Sequence, residues 1–250
     1  MEGYRDETYG ERIADVYDDW FRGVRDVDGT VRFLDELAGR RPARILELAV
    51  GTGRLAIPLA TRGHDVTGVD VSAAMLDRLR AADTEGRVTV VEGDMVDDLP
   101  SGPFDLVFVA FNSLFMVTDA ERQAACFKAV AGAIAPEGCF VVEAFVPYDP
   151  PRQGTHVEVR SMTADQLALH VSVTDPDSQT VNAQFVELAD GQPVRLRPFR
   201  LRWSRPAELD AWAEAAGLQL AERFAGVDRT PFTDDSPFHV TIYRRGTLDR

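Results

Sequence analysis

Between residues 45 and 145 short apolar runs alternate with segments of helical periodicity, and this alternation narrows the fold more than any other feature of the chain. Strands are expected over 45–48, 66–70, 88–92, 106–110 and 139–145. Helices are expected from Gly53, over 72–82 and over 119–134. Strands joined through helices need right-handed crossovers and lie in a parallel sheet buried on both faces. The expected class is α/β, a doubly wound and mostly parallel sheet.

The pattern differs on either side of that block. Ile13, Val16, Tyr17, Trp20 and Phe21 fall at helical spacing with Tyr9 on the same stripe, so an amphipathic helix over 11–21 must pack on something. A second helix is expected over 31–37, ended by GRRP at 39–42. After Pro147, THVEVRSM, LALHVSV, VNAQFVEL and VRLRPFRLRW are separated by the turn formers DPDS and ADGQP, as in an inserted antiparallel β meander. Helix 206–216, a stop at Gly217 and strands 219–224 and 238–244 then resume the first pattern. With no internal repeat and no long linker, one domain is expected: an N-terminal helical lid (1–40), a core (41–147), the insert (148–204) and the end of the core (205–250).

A formal net charge of −14 repels nucleic acid phosphates and anionic membranes, so neither is an expected partner. The arginines of RLRPFRLRWSR alternate with Leu196, Phe199, Leu201 and Trp203, which suits a strand with a solvated basic edge. The N-terminal stretch has no apolar signal core, and the longest apolar run, 104–117, is broken by Asp105, Asn112 and Ser113. Cys126 and Cys139 lack any metal-ligand spacing, so no zinc site and no disulfide framework is expected, and a cytoplasmic location fits.

The chemistry gathers at RILELAVGTGRLAIPLA, residues 44–60. Small residues Ala49, Gly51 and Gly53 between a strand and a helix let a ligand approach the backbone and meet the N–H groups that open the helix. Gly51, Gly53 and Ala56 also satisfy the looser dinucleotide fingerprint, which keeps a nicotinamide dehydrogenase open. Glu47 weighs against it, because a carboxylate before the turn repels a pyrophosphate and suits an ammonium; pairing with Arg44 is the alternative. Asp70 ends the second strand 19 residues after Gly51, where an open α/β sheet places a carboxylate that accepts both ribose hydroxyls. With the turn it points to an adenosine-like ligand; a helix-cap role is the alternative.

In order along the chain, LELAVGTG, VTGVDVSAAML, VEGDM, FDLVFVAFNSLF and GCFVVEAF resemble the motifs of class I S-adenosylmethionine (SAM) methyltransferases, which have a Rossmann-like sheet. Ala49 stands where that family more often has its first glycine. The resemblance implies SAM as cofactor, its methionyl part held by Glu47, Ala49, Gly51 and Gly53, its ribose by Asp70 and Val71, and its adenine by Asp94 and Met95 with Met75 on the other side. Core packing is the ordinary alternative for both methionines. The short N-terminal helix, the FNSLF segment and the insert look similar to actinobacterial antibiotic-pathway N-methyltransferases acting on aminosugars or lincosamide-type amines.

The activated methyl of SAM needs a nucleophile aligned with its C–S bond and no metal. A neutral amine serves directly, whereas a hydroxyl of high pKa calls for a base. His64 and His239 read as structural, which leaves His156 and His170, on the inserted strands, as the bases of an alternative O-methyltransferase. The end of the fourth strand makes Phe111, Asn112 and Phe115 candidates for the wall at the methyl, with Phe111 also against the cofactor. Tyr9 and Tyr17, eight residues apart on one expected helix face, could gate the cleft and orient the acceptor. The expected partner is a small-molecule amine. Exposed antiparallel strands offer a surface for a homo-oligomer, and a noncatalytic module on the cofactor fold is the further alternative.

Overall fold

The computed structural model describes residues 1–24, 26–39, 41–148 and 151–246; Arg40 of the GRRP loop and the last four residues of the expected core lie outside them. The elements run α1 (Thr8–Ile13), α2 (Tyr17–Trp20), α3 (Val27–Ala38), β1 (Arg44–Leu48), α4 (Ala56–Thr61), β2 (Asp65–Asp70), α5 (Ala73–Ala82), β3 (Val88–Glu92) and β4 (Phe104–Val109). A 3-10 turn (Ser113–Met116) leads to α6 (Ala120–Ala133) and β5 (Ile134–Phe145). Four strands follow, β6 (Gly154–Met162), β7 (Gln166–Asp175), β8 (Thr180–Ala189) and β9 (Arg195–Arg202), then α7 (Pro206–Ala215), β10 (Leu218–Phe224) and β11 (Phe238–Arg245).

Ile45, Leu46 and Leu48 are fully buried, which only a strand covered on both faces allows, and β1 accordingly sits inside the larger sheet. Its order is β10-β11-β5-β4-β1-β2-β3. β11 runs antiparallel to both of its neighbours, and the other pairings are parallel. On one face Phe127 of α6 meets Phe140 and Tyr243 edge to face at 5.3 and 5.6 Å. On the other, Phe33 and Leu34 of α3 share a core with Leu59 of α4 and Leu76 and Leu79 of α5. This is the doubly wound α/β fold that the alternation predicts. β6 to β9 form the separate antiparallel sheet, each strand paired with the next. Among the described residues no helix is long and apolar enough to cross a membrane.

Several boundaries move, each for a local reason. Asp26 caps α3 by accepting from Gly29 N at 2.8 Å, so the helix starts at Val27 and not at 31. Gly53, at φ 81°, still belongs to the turn, and α4 starts at Ala56. β5 continues back through the turn-like APEG because Gly138 lets the backbone of β4 come close; a Cβ there would lie 2.8 Å from Phe104 O.

The largest departure is the lid, where the expected helix over 11–21 is two short helices with a turn between them. In a continuous helix the carbonyl of Arg12 would accept from Val16 N, but Arg197 of β9 takes it, and Val16 N donates to Ile13 O at 3.0 Å instead. Arg78 of α5 donates to Asp15 O at 3.0 Å. The broken lid lies between the antiparallel sheet and α5, where Ile13, Ala14, Met75 and Phe185 form a third, small core.

Gly10 sets how closely α1 approaches α5. A Cβ there would lie 2.4 Å from Ser72 Cβ and 3.2 Å from Met75 Cγ. Gly10→Ala should therefore destabilise by about 1–3 kcal/mol, the cost of overpacking, although alanine in a free helix would stabilise. Thermal unfolding gives the sign.

Candidate active site

Strand order reverses between β1 and β4, and an open α/β sheet has its crevice at the carboxyl ends of strands at such a point. The turn after β1 lies there. Ala49 and Gly51 have φ of 54° and 57°, and a Cβ on Gly51 would have nothing within 4 Å, so its backbone faces open space. Gly53, also expected to meet a ligand, is placed differently. A Cβ there would lie 2.8 Å from Leu79 Cγ, and Gly53 lines neither cleft, so its part is to let the turn pack against α5.

Two clefts open at this point and share Tyr17, Ala49, Gly51 and Ser113. The outer one has a cavity of about 140 Å³. Tyr9, Asp70, Val71, Met75, Asp94 and Met95 line it, so most of the expected cofactor residues come together on its walls. The inner one is a small cavity of about 20 Å³ with Glu47, Arg54 and Phe111 around it.

The two buried carboxylates differ in how they are satisfied. Asp70 Oδ2 accepts from Gly51 N at 2.8 Å and Oδ1 from Ser72 N at 2.9 Å, which ties the turn to the start of α5. Burial raises the Asp70 pKa, and these backbone donors oppose the rise. Glu47 is 4% exposed and its Oε2 has no partner among the described residues. Burial pushes its pKa well above the usual carboxylate range; the charge of Arg54 and a bond from the Ala56 backbone oppose this. The alternative partner, Arg44, is engaged elsewhere, donating to Pro103 O at 2.8 Å and lying 3.8 Å from Asp65.

On the lid side, Tyr9 and Tyr17 face the outer cleft from two helices instead of one. Burial raises both phenol pKa values, that of Tyr17 to about 12, so both are neutral hydroxyls at physiological pH. Asp94, on the wall of the outer cleft, accepts through Oδ1 from Val96 N at 2.7 Å and from Arg122 at 2.9 Å.

Four other expected residues lie away from these clefts. Asn112 lines neither cleft; its Oδ1 accepts from Phe145 N at 2.7 Å and fastens the end of β4 to the end of β5. Phe115 is fully buried, its ring 5.1 Å from that of Phe145, and belongs to the core. His156 and His170 line neither cleft, and the Nε2 of each is enclosed without a partner among the described residues. His170 stacks on Phe199 at 5.7 Å, and burial lowers its pKa. The residues passed over are Ser113, which lies on both clefts, and Arg54, whose guanidinium is 5.3 Å from the Phe111 ring. A cation directly after the last glycine of a ligand-binding turn was the available signal for Arg54.

A carboxylate ending β2, a small-residue turn at the switch point, and an unpartnered buried carboxylate beside an arginine define a nucleoside site for a ligand that also carries an ammonium and a carboxylate. SAM has this set of groups, and the cradle open at Gly51 fits it. The chain belongs to the SAM-dependent methyltransferases, and residues 45–138 match the model of the methyltransferase domain family. It is similar to the CcbJ methyltransferase from Streptomyces caelestis, with 37% identity and a TM-score of 0.89 over 98% of this chain and 100% of that one. The cypemycin N-terminal methyltransferase of a Streptomyces species is 28% identical over 244 residues, 95% of this chain and 98% of that protein. The SAM-bound amino pentose methyltransferase CalS10 from Micromonospora echinaspora shares the fold, with a TM-score of 0.71 at 22% identity over 92% and 97% of the two chains. The protein is an enzyme that uses SAM.

Proposed function

We propose that the protein transfers the methyl of SAM to the nitrogen of a small-molecule amine in an antibiotic pathway. The single observation that carries the choice of nitrogen is the lining of the two clefts, which among the described residues contains no histidine. An amine attacks once neutral, whereas a hydroxyl of high pKa needs a base. The likeness to an N-terminal methyltransferase and to an amino pentose methyltransferase supports the same reading.

When bound, SAM supplies a methyl already activated on a sulfonium. The protein's part is to bind, align and exclude water. Glu47 receives the ammonium, Arg54 the carboxylate, and the backbone at Ala49 and Gly51 lies along the methionyl chain. Asp70 accepts from the ribose hydroxyls beside Val71. Met75 and Met95 enclose the adenine, and Asp94 accepts from its amino group. Tyr9 and Tyr17, neutral and on the lid face of the cleft, hold the acceptor nitrogen with its lone pair toward the methyl, and Phe111 closes the inner end. Aromatic faces there also favour the cationic centre.

Tyr17→Phe should lower kcat by roughly 2- to 13-fold, the range of one hydrogen bond, with cofactor affinity unchanged; equal turnover would reduce Tyr17 to packing. The acceptor itself is found by incubating the protein with methyl-deuterated SAM and pools of primary and secondary amines of the aminosugar and amino-acid amide classes. A label on nitrogen is the expected result. A label on oxygen would support the O-methyl reading, and binding of SAM without any labelled product would favour a noncatalytic module.

A further inference from the structure

We propose that one hydrogen bond latches the lid to the cofactor turn, and that Asp18 and Thr52, which make it, are positioning residues for cofactor retention and for Tyr17. The inference rests on the SAM reading of the site. Thr52 lies between Gly51 and Gly53, is 6% exposed, and donates its hydroxyl to Asp18 Oδ1 at 2.7 Å. Asp18 directly follows Tyr17, the lid residue shared by both clefts, and itself lines neither.

The rest of α2 explains why so small a contact matters. The helix has four residues, none of them buried, and no side-chain cap, so it has little stability of its own. Trp20 is held on the antiparallel sheet, edge-on to Phe185 at 5.4 Å and under the Arg160 guanidinium at 4.6 Å, while Arg160 donates to Trp20 O at 3.1 Å. Facing the larger sheet, α2 has the contact of Phe21 with Phe111 at 5.4 Å and the Asp18–Thr52 bond. The edge-to-face ring contact tolerates sliding by several tenths of an ångström, whereas the short hydrogen bond to a carboxylate fixes register more tightly.

The other lid contacts leave this task to Asp18. Glu11 accepts from Ser72 Oγ at 2.9 Å and Ala74 N at 3.0 Å, which fastens α1 to the start of α5, and Asp15 pairs with Arg197 on β9. These hold the lid before its internal turn. Asp18 holds it after the turn, at the part that covers the junction of the clefts. Tyr9, Gly10 and Tyr17 wall the outer cleft, so cofactor exchange requires α2 to leave the turn, and that motion breaks the Thr52–Asp18 bond. The strand-to-helix turn that meets the cofactor thus also carries the lid's anchor.

The test is the dissociation rate of S-adenosylhomocysteine from the full chain, followed by surface plasmon resonance. Asp18→Ala and Thr52→Val should each speed dissociation about tenfold, in the range for a lost hydrogen bond to a charged group. The double variant should be no faster than either single one, and Thr52→Ser should restore the wild-type rate. Hydrogen exchange over 14–21 in the bound state should rise in the same variants. Unchanged rates, or effects that multiply in the double variant, would overturn the latch. If Thr52→Val does not fold, Asp18→Asn and Asp18→Ala, on the exposed side of the lid, decide the matter. A wild type that binds no S-adenosylhomocysteine would overturn the cofactor reading instead.

Discussion

Glu47→Gln is expected to make the protein harder to unfold and poorer at holding SAM. Glu47 is buried with one oxygen unpartnered among the described residues, and burial holds its folded pKa well above the ordinary carboxylate value. A carboxyl whose folded pKa is raised contributes its full stability below the unfolded value. That contribution is lost as the pH rises through the folded value. At neutral pH the free protein therefore carries either an uncompensated charge or a proton bound at a cost, and glutamine removes both while keeping an oxygen for the Ala56 backbone. The amide takes the place of the unpartnered oxygen, so the gain is the cost of that charge or proton alone, read as a higher Tm at neutral pH. Below pH 4.5 the gain should vanish.

The same substitution takes away the partner of the SAM ammonium. Affinity should fall by about 1–3 kcal/mol, the value of a charged hydrogen bond. Binding to the wild type should also release a proton as Glu47 ionises against the ammonium, and affinity should rise with pH up to the pKa of the free protein. Calorimetry in two buffers of different ionisation enthalpy counts that proton. Glu47→Gln should release none.

Asp70→Ala should weaken SAM by about 1–3 kcal/mol, or roughly 5- to 160-fold, through the ribose. The carboxylate also accepts from Gly51 N and Ser72 N, so alanine leaves two backbone donors unanswered and loosens the turn in the free protein. Asp70→Asn separates the two effects. Its oxygen still accepts from one donor, but its amide group faces the other, so affinity should lie between wild type and alanine. Equilibrium titration with SAM measures both variants, and an unchanged affinity in Asp70→Ala would move the ribose elsewhere.

The core was legible because its rules are local. β3 spans 88–92 as the apolar run predicts, and the carboxylate that ends β2 lands beside Gly51 because parallel strands bring their carboxyl ends together. The lid was not legible, since the break in its helix depends on Arg197 and Arg78, residues distant in sequence whose side chains take helix carbonyls. Pairing of Glu47 with Arg44 fails because residues three apart on a strand point to opposite faces of the sheet.

Of the segment expected to wall the site, Phe111 and Ser113 line the clefts and Asn112 does not. FNSLF identifies the segment that faces the cleft without saying which side chains turn toward it. Phe111 and Asn112 both adopt left-handed φ, 55° and 67°, a conformation that costs about 1–3 kcal/mol in a residue with a side chain. Glu143 anchors the bend by accepting from Phe111 N at 3.1 Å, and Ser113 emerges on both clefts. No periodicity in the sequence announces two successive left-handed residues outside glycine.

A crystal structure of the full chain with S-adenosylhomocysteine tests whether this turn and these two carboxylates hold SAM with its methyl toward the lid tyrosines, as proposed. The expected result is the ammonium within hydrogen-bond distance of Glu47, the ribose hydroxyls on Asp70, the adenine between Met75 and Met95, and the sulfur facing Tyr9 and Tyr17. A ribose away from Asp70, or a sulfur facing the core instead of the lid, would contradict it.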